Sequence, residues 1–483
     1  MNLDRYSNKK IGIVGAGPGG LTSGMLLASK GFDVTIFEKA DRVGGRNASF
    51  DLDGFKFDLG PTFLMLKPIL DDVFRESSKD VNNYLTFYDL DPMYELVFKD
   101  KKVSISRNHD KTYEEIRKYF SGEEQGFINL LEREKIRFEK AFNCLKKDYS
   151  SIWKLFNLDL IRFIPWLSFP KSMYEELGNY FKSDDLKISF TFQSKYIGMS
   201  PWDCPAAYMI IPYIEHNFGI YHVKGGLSEI SEAMKRVFLE YEGKLLLNTK
   251  VKKIQNSDVT LETGENLHFD KVIINADVGY AFKELLDYND LSHKKFSCST
   301  FMLYLGLDKN PNTAHHTIFF SNNYHQFVDS IFHTQKLNYE ISLYVRNASV
   351  IDPTLAPDGM YNIYILVPTP NNKANINWEK EANNYRDNVI KKFSEKVGFD
   401  IEKHIVTEKV ITPQDWEQQY NVFLGATFNL AHTLDQMLYF RPHNKLNQYQ
   451  YLVGGGTNPG SGLPTIYMSG RIASELIAKE FTD

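Results

Sequence analysis

Cysteine is scarce in this 483-residue chain: Cys144, Cys204 and Cys298 stand far apart, in no CxxC or metal-ligand spacing. A disulfide framework and a zinc module are both excluded by that pattern, and the three thiols read as reduced. No run of eighteen or more apolar residues occurs, so the sequence predicts no membrane-spanning helix. The stretch from Met1 to Lys10 is polar and shows no signal-peptide pattern, which makes the cytoplasm the expected location. An excess of positive charge is missing too: 56 Lys and Arg against 61 Asp and Glu leave −5, so nucleic acid is not an expected partner. There is no internal repeat, no low-complexity stretch, no nucleophile triad and no paired-carboxylate motif. His315, His316, His325 and His333 form no metal spacing and read as structural or surface groups; no metal is expected.

What the chain has in quantity is aromatic side chains, 14 % of its residues, and an ordered set of glycines near its start. Ile11 to Val14 reads as a buried parallel strand. Gly15, Gly17 and Gly20 follow at GxGxxG spacing, with Ala16 and Gly19 between them. The first glycine permits a tight turn, the second lets backbone approach a pyrophosphate, and the third lets the next helix pack on the strand. That helix is predicted over about Leu21 to Ser29, with Gly31 as its left-handed stop. A second strand, Val34 to Phe37, ends on Glu38 and Lys39, eighteen residues or so past the last glycine. A carboxylate there takes a ribose hydroxyl pair and repels a ribose phosphate, so the ligand is FAD or NAD. Strand, glycines, helix, strand and acid in one register define a dinucleotide site.

Asp41-Arg42-Val43-Gly44-Gly45-Arg46 comes next, then Phe57-Asp58-Leu59-Gly60-Pro61-Thr62. Two glycines expose backbone N–H groups as an anion nest, and Arg46 adds a fixed charge beside it. On these residues the sequence resembles the phytoene-desaturase and amine-oxidase superfamily of flavoproteins, in which a diglycine-arginine segment runs along the cofactor diphosphate. The resemblance implies FAD as cofactor. It also implies an α/β fold: a discontinuous Rossmann-type FAD-binding domain (1–70, 215–290 and 410–483) with a mixed-sheet plus helical substrate domain (71–214 and 291–409).

Within that plan, residues 111–150 are helical in composition, with alternating charge as in Glu132-Arg133-Glu134-Lys135. From Ile152 to Lys171, apolar and aromatic residues crowd around Lys154, Arg162 and Lys171, and Pro165 and Pro170 break any long helix. This stretch is either a buried helical lid or an interfacial patch dipping into lipid; the resemblance favours the patch. Val223-Lys224-Gly225-Gly226-Leu227-Ser228 opens a helix to about Tyr241. A strand is predicted over Lys244 to Val251, with Val251 a candidate for backbone pairing to adenine, then a hairpin near Glu262 to Glu265 and a buried strand, Lys271 to Asp277. This order is similar to the family's second cofactor segment, and Asp277 is its site residue. Thr300 to Leu307 and Tyr361 to Val367 read as strands of the substrate sheet.

The C-terminal stretch is the second strong signal. A strand, Gln450 to Val453, leads into Gly454-Gly455-Gly456-Thr457-Asn458-Pro459-Gly460-Ser461-Gly462-Leu463-Pro464-Thr465, and a helix is predicted from Ile466. Gly455, Gly456, Pro464, Thr465 and Ile466 are expected beside the flavin, whose N1/C2=O edge a helix N-terminus stabilises when negative. The string looks like the C-terminal signature of bacterial carotenoid desaturases. That family's activity is hydride removal from an allylic C–H to flavin N5, then proton loss, forming a C=C bond in an apolar carotenoid. The implied setting is the cytoplasmic face of a membrane, with quinone or oxygen as electron acceptor. Gly462-Leu463-Pro464 is similar to the branch acting on carotenoid end groups, such as 3,4-desaturases of γ-carotene-like or hydroxylated carotenoids. A phytoene or C30 dehydrosqualene desaturase, a flavin amine oxidase and a non-catalytic lipid escort of the GDP-dissociation-inhibitor type are the alternatives. For the proton-accepting base, Glu215 and His216 are the candidates.

Overall fold

A five-stranded parallel sheet frames the cofactor half of the computed structural model, which describes residues 6, 8–286, 288, 291 and 293–482. Its strands run in the order Gln450–Leu452, Lys271–Ile274, Lys10–Val14, Asp33–Phe37, Lys244–Leu246. A parallel sheet is buried on both faces, which is why its strands read as near-continuous Ile and Val. One face, through Ile11, Ile13 and Ile36, packs on the helices Pro18–Ala28, Ser228–Glu240 and Leu463–Glu480. The other, through Val14, Val272 and Ile274, packs on a three-stranded antiparallel meander, Val251–Gln255, Asp258–Leu261 and Asn266–His268.

The first helix starts at Pro18, three residues before the periodicity predicts, because Pro18, Gly19 and Gly20 carry no apolar signal while proline suits a first helical turn. Gly20 has to be glycine: a Cβ there would stand 2.2 Å from the Gly15 carbonyl oxygen. The strand predicted over Lys244 to Val251 is two strands, with Asn248 between them in the left-handed region at φ 52°. The last helix begins at Leu463 rather than Ile466, with Pro464 in its first turn.

The second sheet is mixed and seven-stranded, in the order Ile405–Ile411, Ser299–Leu307, Tyr361–Thr369, Leu343–Asn347, His316–Phe319, Tyr94–Val97, Lys102–Ile105. Alternation along its central strands splits two environments. Phe301 packs on Trp378 and Tyr385, whereas Cys298, Thr300 and Met302 face an internal cavity. A helical layer closes that cavity, built on Glu124–Leu145 and Ile210–Phe218. Glu215 and His216 lie inside the second of these helices, so the segment boundary expected at 215 falls within a helix that packs on the helical layer.

A buried polar cluster joins the two halves. Arg346, from the second sheet, donates Nη1–H to Asp58 Oδ2 at 2.8 Å and Nη2–H to His222 Nδ1 at 3.1 Å. His222 Nε2–H then reaches Asp352 at 3.0 Å. Asp58 also accepts the backbone N–H groups of Leu227 and Ser228, at 3.0 and 3.1 Å. Gly225 donates to Asp352 at 2.6 Å, and a Cβ on Gly226 would come within 2.8 Å of Asp58 Oδ1. The Lys-Gly-Gly motif thus wraps these two carboxylates.

Candidate active site

The two glycine loops meet at the carboxyl ends of the parallel strands, where open α/β sheets bind ligands. A Cβ on Gly45 would lie 3.6 Å from Gly17 Cα, and Gly44 N–H donates to the Ala16 carbonyl at 2.8 Å. Glu38 is buried and anchored by two backbone donors, Ala16 N–H at 2.8 Å and Ala40 N–H at 2.9 Å. Arg46 donates to the Thr427 carbonyl at 2.9 Å and stands 3.7 Å from Asp277, whose carboxyl burial pushes up from the usual range. Asp277 is held in turn by Asn429 Nδ2–H at 2.5 Å and Gly279 N–H at 3.1 Å.

One cavity of about 1270 Å³ runs through the molecule. Of the expected cofactor residues, Gly15, Gly17, Glu38, Lys39, Gly45, Arg46, Gly60, Pro61, Thr62, Val251, Asp277, Gly455, Gly456, Pro464, Thr465 and Ile466 line it. Ala16, Gly19, Gly20 and Gly44 stand behind its wall, where Gly19 and Gly20 sit against Asn275. Thr427 Oγ1, His432 Nδ1 and Asn458 Oδ1 belong to residues of that wall, are buried and have no partner within the chain. Orphaned polar atoms around a glycine-lined cradle fit a polar dinucleotide, which would supply their hydrogen bonds.

Several residues that hold this site carried no signal in the sequence. Tyr304, Tyr364 and Tyr344 come from three adjacent strands and fasten the 59–62 loop: Tyr304 donates to the Leu59 carbonyl at 2.6 Å, Tyr364 to the Gly60 carbonyl at 2.8 Å, and Tyr344 meets the Thr62 hydroxyl at 2.5 Å. Tyr344 is also 2.7 Å from His316 Nδ1. Arg441 is fully buried and directs its guanidinium at carbonyls, Gly455 at 2.7 Å and Thr457 at 3.2 Å, which clamps the glycine string; burial pulls its pKa down to about 10. Asn275 donates to the Gly15 carbonyl at 3.0 Å. Only Asn275 had a visible cue, its place before Asp277 at the end of a buried strand.

Neither candidate base lines the cavity. Glu215 is buried among Tyr94 (3.0 Å), Gln193 (3.0 Å) and Tyr196, and burial raises its carboxyl to about 7. Of these partners Tyr196 is part of the cavity wall. His216 packs among Phe127, Phe190 and His109, and burial lowers its imidazole to about 3.

The remaining wall is apolar. Beyond Phe63 and Met65 the cavity passes Ile211 and Ile214 and reaches Leu155, Phe156, Leu160, Phe163, Ile164 and Leu167. A dinucleotide cradle of this kind, opening into an apolar chamber beneath a mixed sheet, defines an FAD-dependent oxidoreductase. The model of the family "Flavin containing amine oxidoreductase" matches residues 18–478. The chain is 44 % identical over 490 residues to a 4,4′-diapophytoene desaturase (4,4′-diapolycopene-forming) of Methylomonas sp., covering 98 % of this chain and 96 % of that one. It is 34 % identical to an all-trans-zeta-carotene desaturase of Myxococcus xanthus, covering 99 % and 95 %. Among solved structures, cyclohexylamine oxidase from Brevibacterium oxydans IH-35A shares the fold at a TM-score of 0.63 and 12 % identity, over 98 % of this chain and 100 % of that one. The chain belongs to the flavin containing amine oxidoreductase family and, within it, to the bacterial carotenoid desaturases; its cofactor is FAD.

Glu38→Ala would orphan two buried N–H donors and remove the carboxylate expected on the ribose. FAD affinity is expected to fall by about 10–100-fold, the equivalent of one or two charge-assisted hydrogen bonds. Titrating apoprotein with FAD by flavin fluorescence reads the change.

Proposed function

We propose that the protein desaturates a linear, apolar carotenoid of the 4,4′-diapophytoene type, taken from a membrane surface. The observation that carries this reading is the continuity of one cavity from the cofactor cradle to an exposed aromatic face. Trp153, Leu158 and Phe169 are 78 %, 68 % and 73 % exposed, beside exposed Ile152, Phe156, Ile161, Ile164 and Phe440. Side chains this apolar are seldom left grouped in water. Phe156 and Ile164 are on this face and in the cavity wall at once, which makes the exposed face the mouth. Exposed Lys154, Arg162 and Lys171 interleave with the aromatics, the composition of an element lying in a lipid interface. Among the described residues no helix is long and apolar enough to cross a membrane. Of the substrates left open by the sequence, the C30 hydrocarbon is favoured over a 3,4-desaturase substrate by the 44 % identical relative and its printed activity.

Bound FAD supplies the acceptor for the two electrons and one hydrogen removed from an allylic C–H. The chain's part is to hold the polyene against that acceptor and to exclude water, which the apolar wall does. The second hydrogen leaves as a proton, and we assign its uptake to the network behind Tyr196, where the Glu215 carboxyl rests near neutrality. His216, enclosed by Phe127 and Phe190, packs that network. Quinone or oxygen then removes the electrons.

The test is holoprotein with phosphatidylcholine vesicles carrying 4,4′-diapophytoene and a supplied quinone. A red-shifting visible spectrum is expected; no shift would overturn the reading. In the same vesicles, Trp153→Ser with Phe169→Ser is expected to reduce co-sedimentation by about tenfold or more while FAD content stays constant.

A further inference from the structure

The exposed apolar face at the cavity mouth is set in an excess of positive charge. From Lys140 to Lys171 there are six basic side chains, Lys140, Lys146, Lys147, Lys154, Arg162 and Lys171, against two acidic ones, Asp148 and Asp159. This one short segment carries +4 in a chain whose total is −5. Both acids are used within it: Asp148 pairs with Lys154 and Asp159 with Lys147. Among the described residues, no carboxylate lies within ion-pair distance of Lys140, Lys146 or Arg162, and the last two are exposed. Lys171 is exposed too, 3.7 Å from Glu176, a buried carboxylate already held by Arg133 and Arg137. The acid just before the segment, Glu139, acts on Tyr213 of the helix Ile210–Phe218.

Ring contacts place these charges at the edge of the apolar face. Arg133 and Lys140 stand over the Trp166 ring, 5.4 and 5.9 Å from its centre, and Lys146 stands over Phe142 at 4.3 Å. Trp166 packs in turn on the cluster of Leu160 and Phe163 beneath the face. The positive rim extends beyond the segment, since Lys294 donates to the carbonyl of Phe440, one of the exposed rings, at 3.1 Å. Insertion into a neutral bilayer needs none of this charge, because apolar side chains suffice for it. Each unpaired Lys or Arg at the edge of an inserting face gains about fivefold in partitioning where the lipid surface is negative. A two-fold pair of this chain is disfavoured as occupant: the same patch would meet itself, positive rim against positive rim.

We propose that this face docks on anionic phospholipid, so that the protein selects negatively charged bilayers over zwitterionic ones. The selection rests on the reading of the face as a membrane contact and adds its lipid partner. Trp153, Phe156 and Phe169 supply insertion, and Lys140, Lys146, Arg162 and Lys171 supply the choice of surface.

The experiment co-sediments FAD-loaded protein, at about 0.1 M salt, with vesicles of phosphatidylcholine alone or with about 30 % phosphatidylglycerol. Partitioning onto the anionic vesicles is expected to be about 100-fold stronger, four basic groups at about fivefold each less the share lost to screening. At about 1 M salt, where charges act only within ~3 Å, the two vesicle types should bind alike. Lys146→Gln with Arg162→Gln removes two exposed charges that hold no carboxylate. It should cut the anionic preference by about 10–25-fold, while binding to phosphatidylcholine, FAD content and Tm stay as in wild type. Lys380→Gln with Lys391→Gln makes the same change in net charge on the helix Trp378–Val397, behind the second sheet, and should leave the preference intact. Equal binding of wild type to both vesicle types overturns the selection and leaves the membrane contact standing; so does an equal loss from the Lys380 and Lys391 pair. No binding to either type overturns both, and two-chain particles in light scattering would then mark the face as an interface between copies.

Discussion

Lowering the pH from about 7.5 to about 5.5 is expected to destabilise the folded protein by several kcal/mol. His216, His222, His315, His316 and His432 are all buried. Burial depresses the pKa of each below the ordinary imidazole value, His216 to about 3. His222, His315 and His316 also feel the fixed charge of Arg346. In the unfolded chain these imidazoles take up protons below about pH 6.5. The unfolded state then binds more protons than the folded one, so stability is fully present above that pH and falls as pH drops through it. Three buried carboxyls oppose this: Glu134 and Glu215, both raised to about 7 by burial, and Asp277, also raised by burial, keep protons in the folded state that the unfolded chain releases. Five histidines against three carboxyls leaves a net difference of about two to three protons, or ~3–4 kcal/mol per pH unit below about pH 6. Melting of holoprotein should show Tm about 4–8 °C lower for each such unit. A Tm that is flat or rises on acidification would refute the assignment. His216→Phe, which puts an apolar ring between Phe127 and Phe190, should remove about one proton from the slope.

Arg346→Met is expected to cost about 3–5 kcal/mol, among the largest effects of any single substitution in this fold. The guanidinium and Asp58 are 1 % and 3 % exposed at their side chains, so removing the cation leaves a carboxylate with no counter-charge in the interior. Three backbone segments depend on this cluster: the end of the Phe55–Asp58 strand, the Lys-Gly-Gly turn and the start of the Ser228–Glu240 helix. The loss should appear as a lower urea midpoint at unchanged slope. Asp58→Asn added to Arg346→Met removes the orphan charge and keeps an oxygen acceptor for one of the Leu227 and Ser228 N–H groups, which Oδ2 and Oδ1 of Asp58 accept separately. It should recover part of the loss, less the cost of the one backbone N–H left without an acceptor. If the double variant is no more stable than Arg346→Met alone, the burial of unpaired charge is not what destabilises.

The parallel sheet and its glycine turn were legible because their signals are local. Strand, turn, helix and acid lie within about thirty residues, and each glycine's reason, such as the Gly15 carbonyl beneath Gly20, is a short-range clash. The proline and glycine string before Leu463–Glu480 was legible for the same reason, although the helix starts three residues earlier, where Leu463 and Pro464 gave no periodic pattern. The strand predicted over Lys244 to Val251 shows the converse: a run of apolar residues does not reveal the single left-handed residue, Asn248, that divides it.

The chain's own order of residues thus determined the cofactor, the fold class and the family, since a dinucleotide cradle is made of backbone geometry written in consecutive glycines. Tertiary structure decided everything that depends on distant residues meeting. Thr62 is held by Tyr344 and Leu59 by Tyr304, pairs more than two hundred residues apart. Glu215, a candidate base in sequence, is withdrawn behind Tyr196 and out of the cavity wall. The aromatic stretch from Ile152 to Phe169 could be lid or surface until burial showed it to be both wall and exposed face. Burial, which fixes where a charge may sit and which side chain meets the substrate, is set by the packing of segments from the whole chain and has no local code.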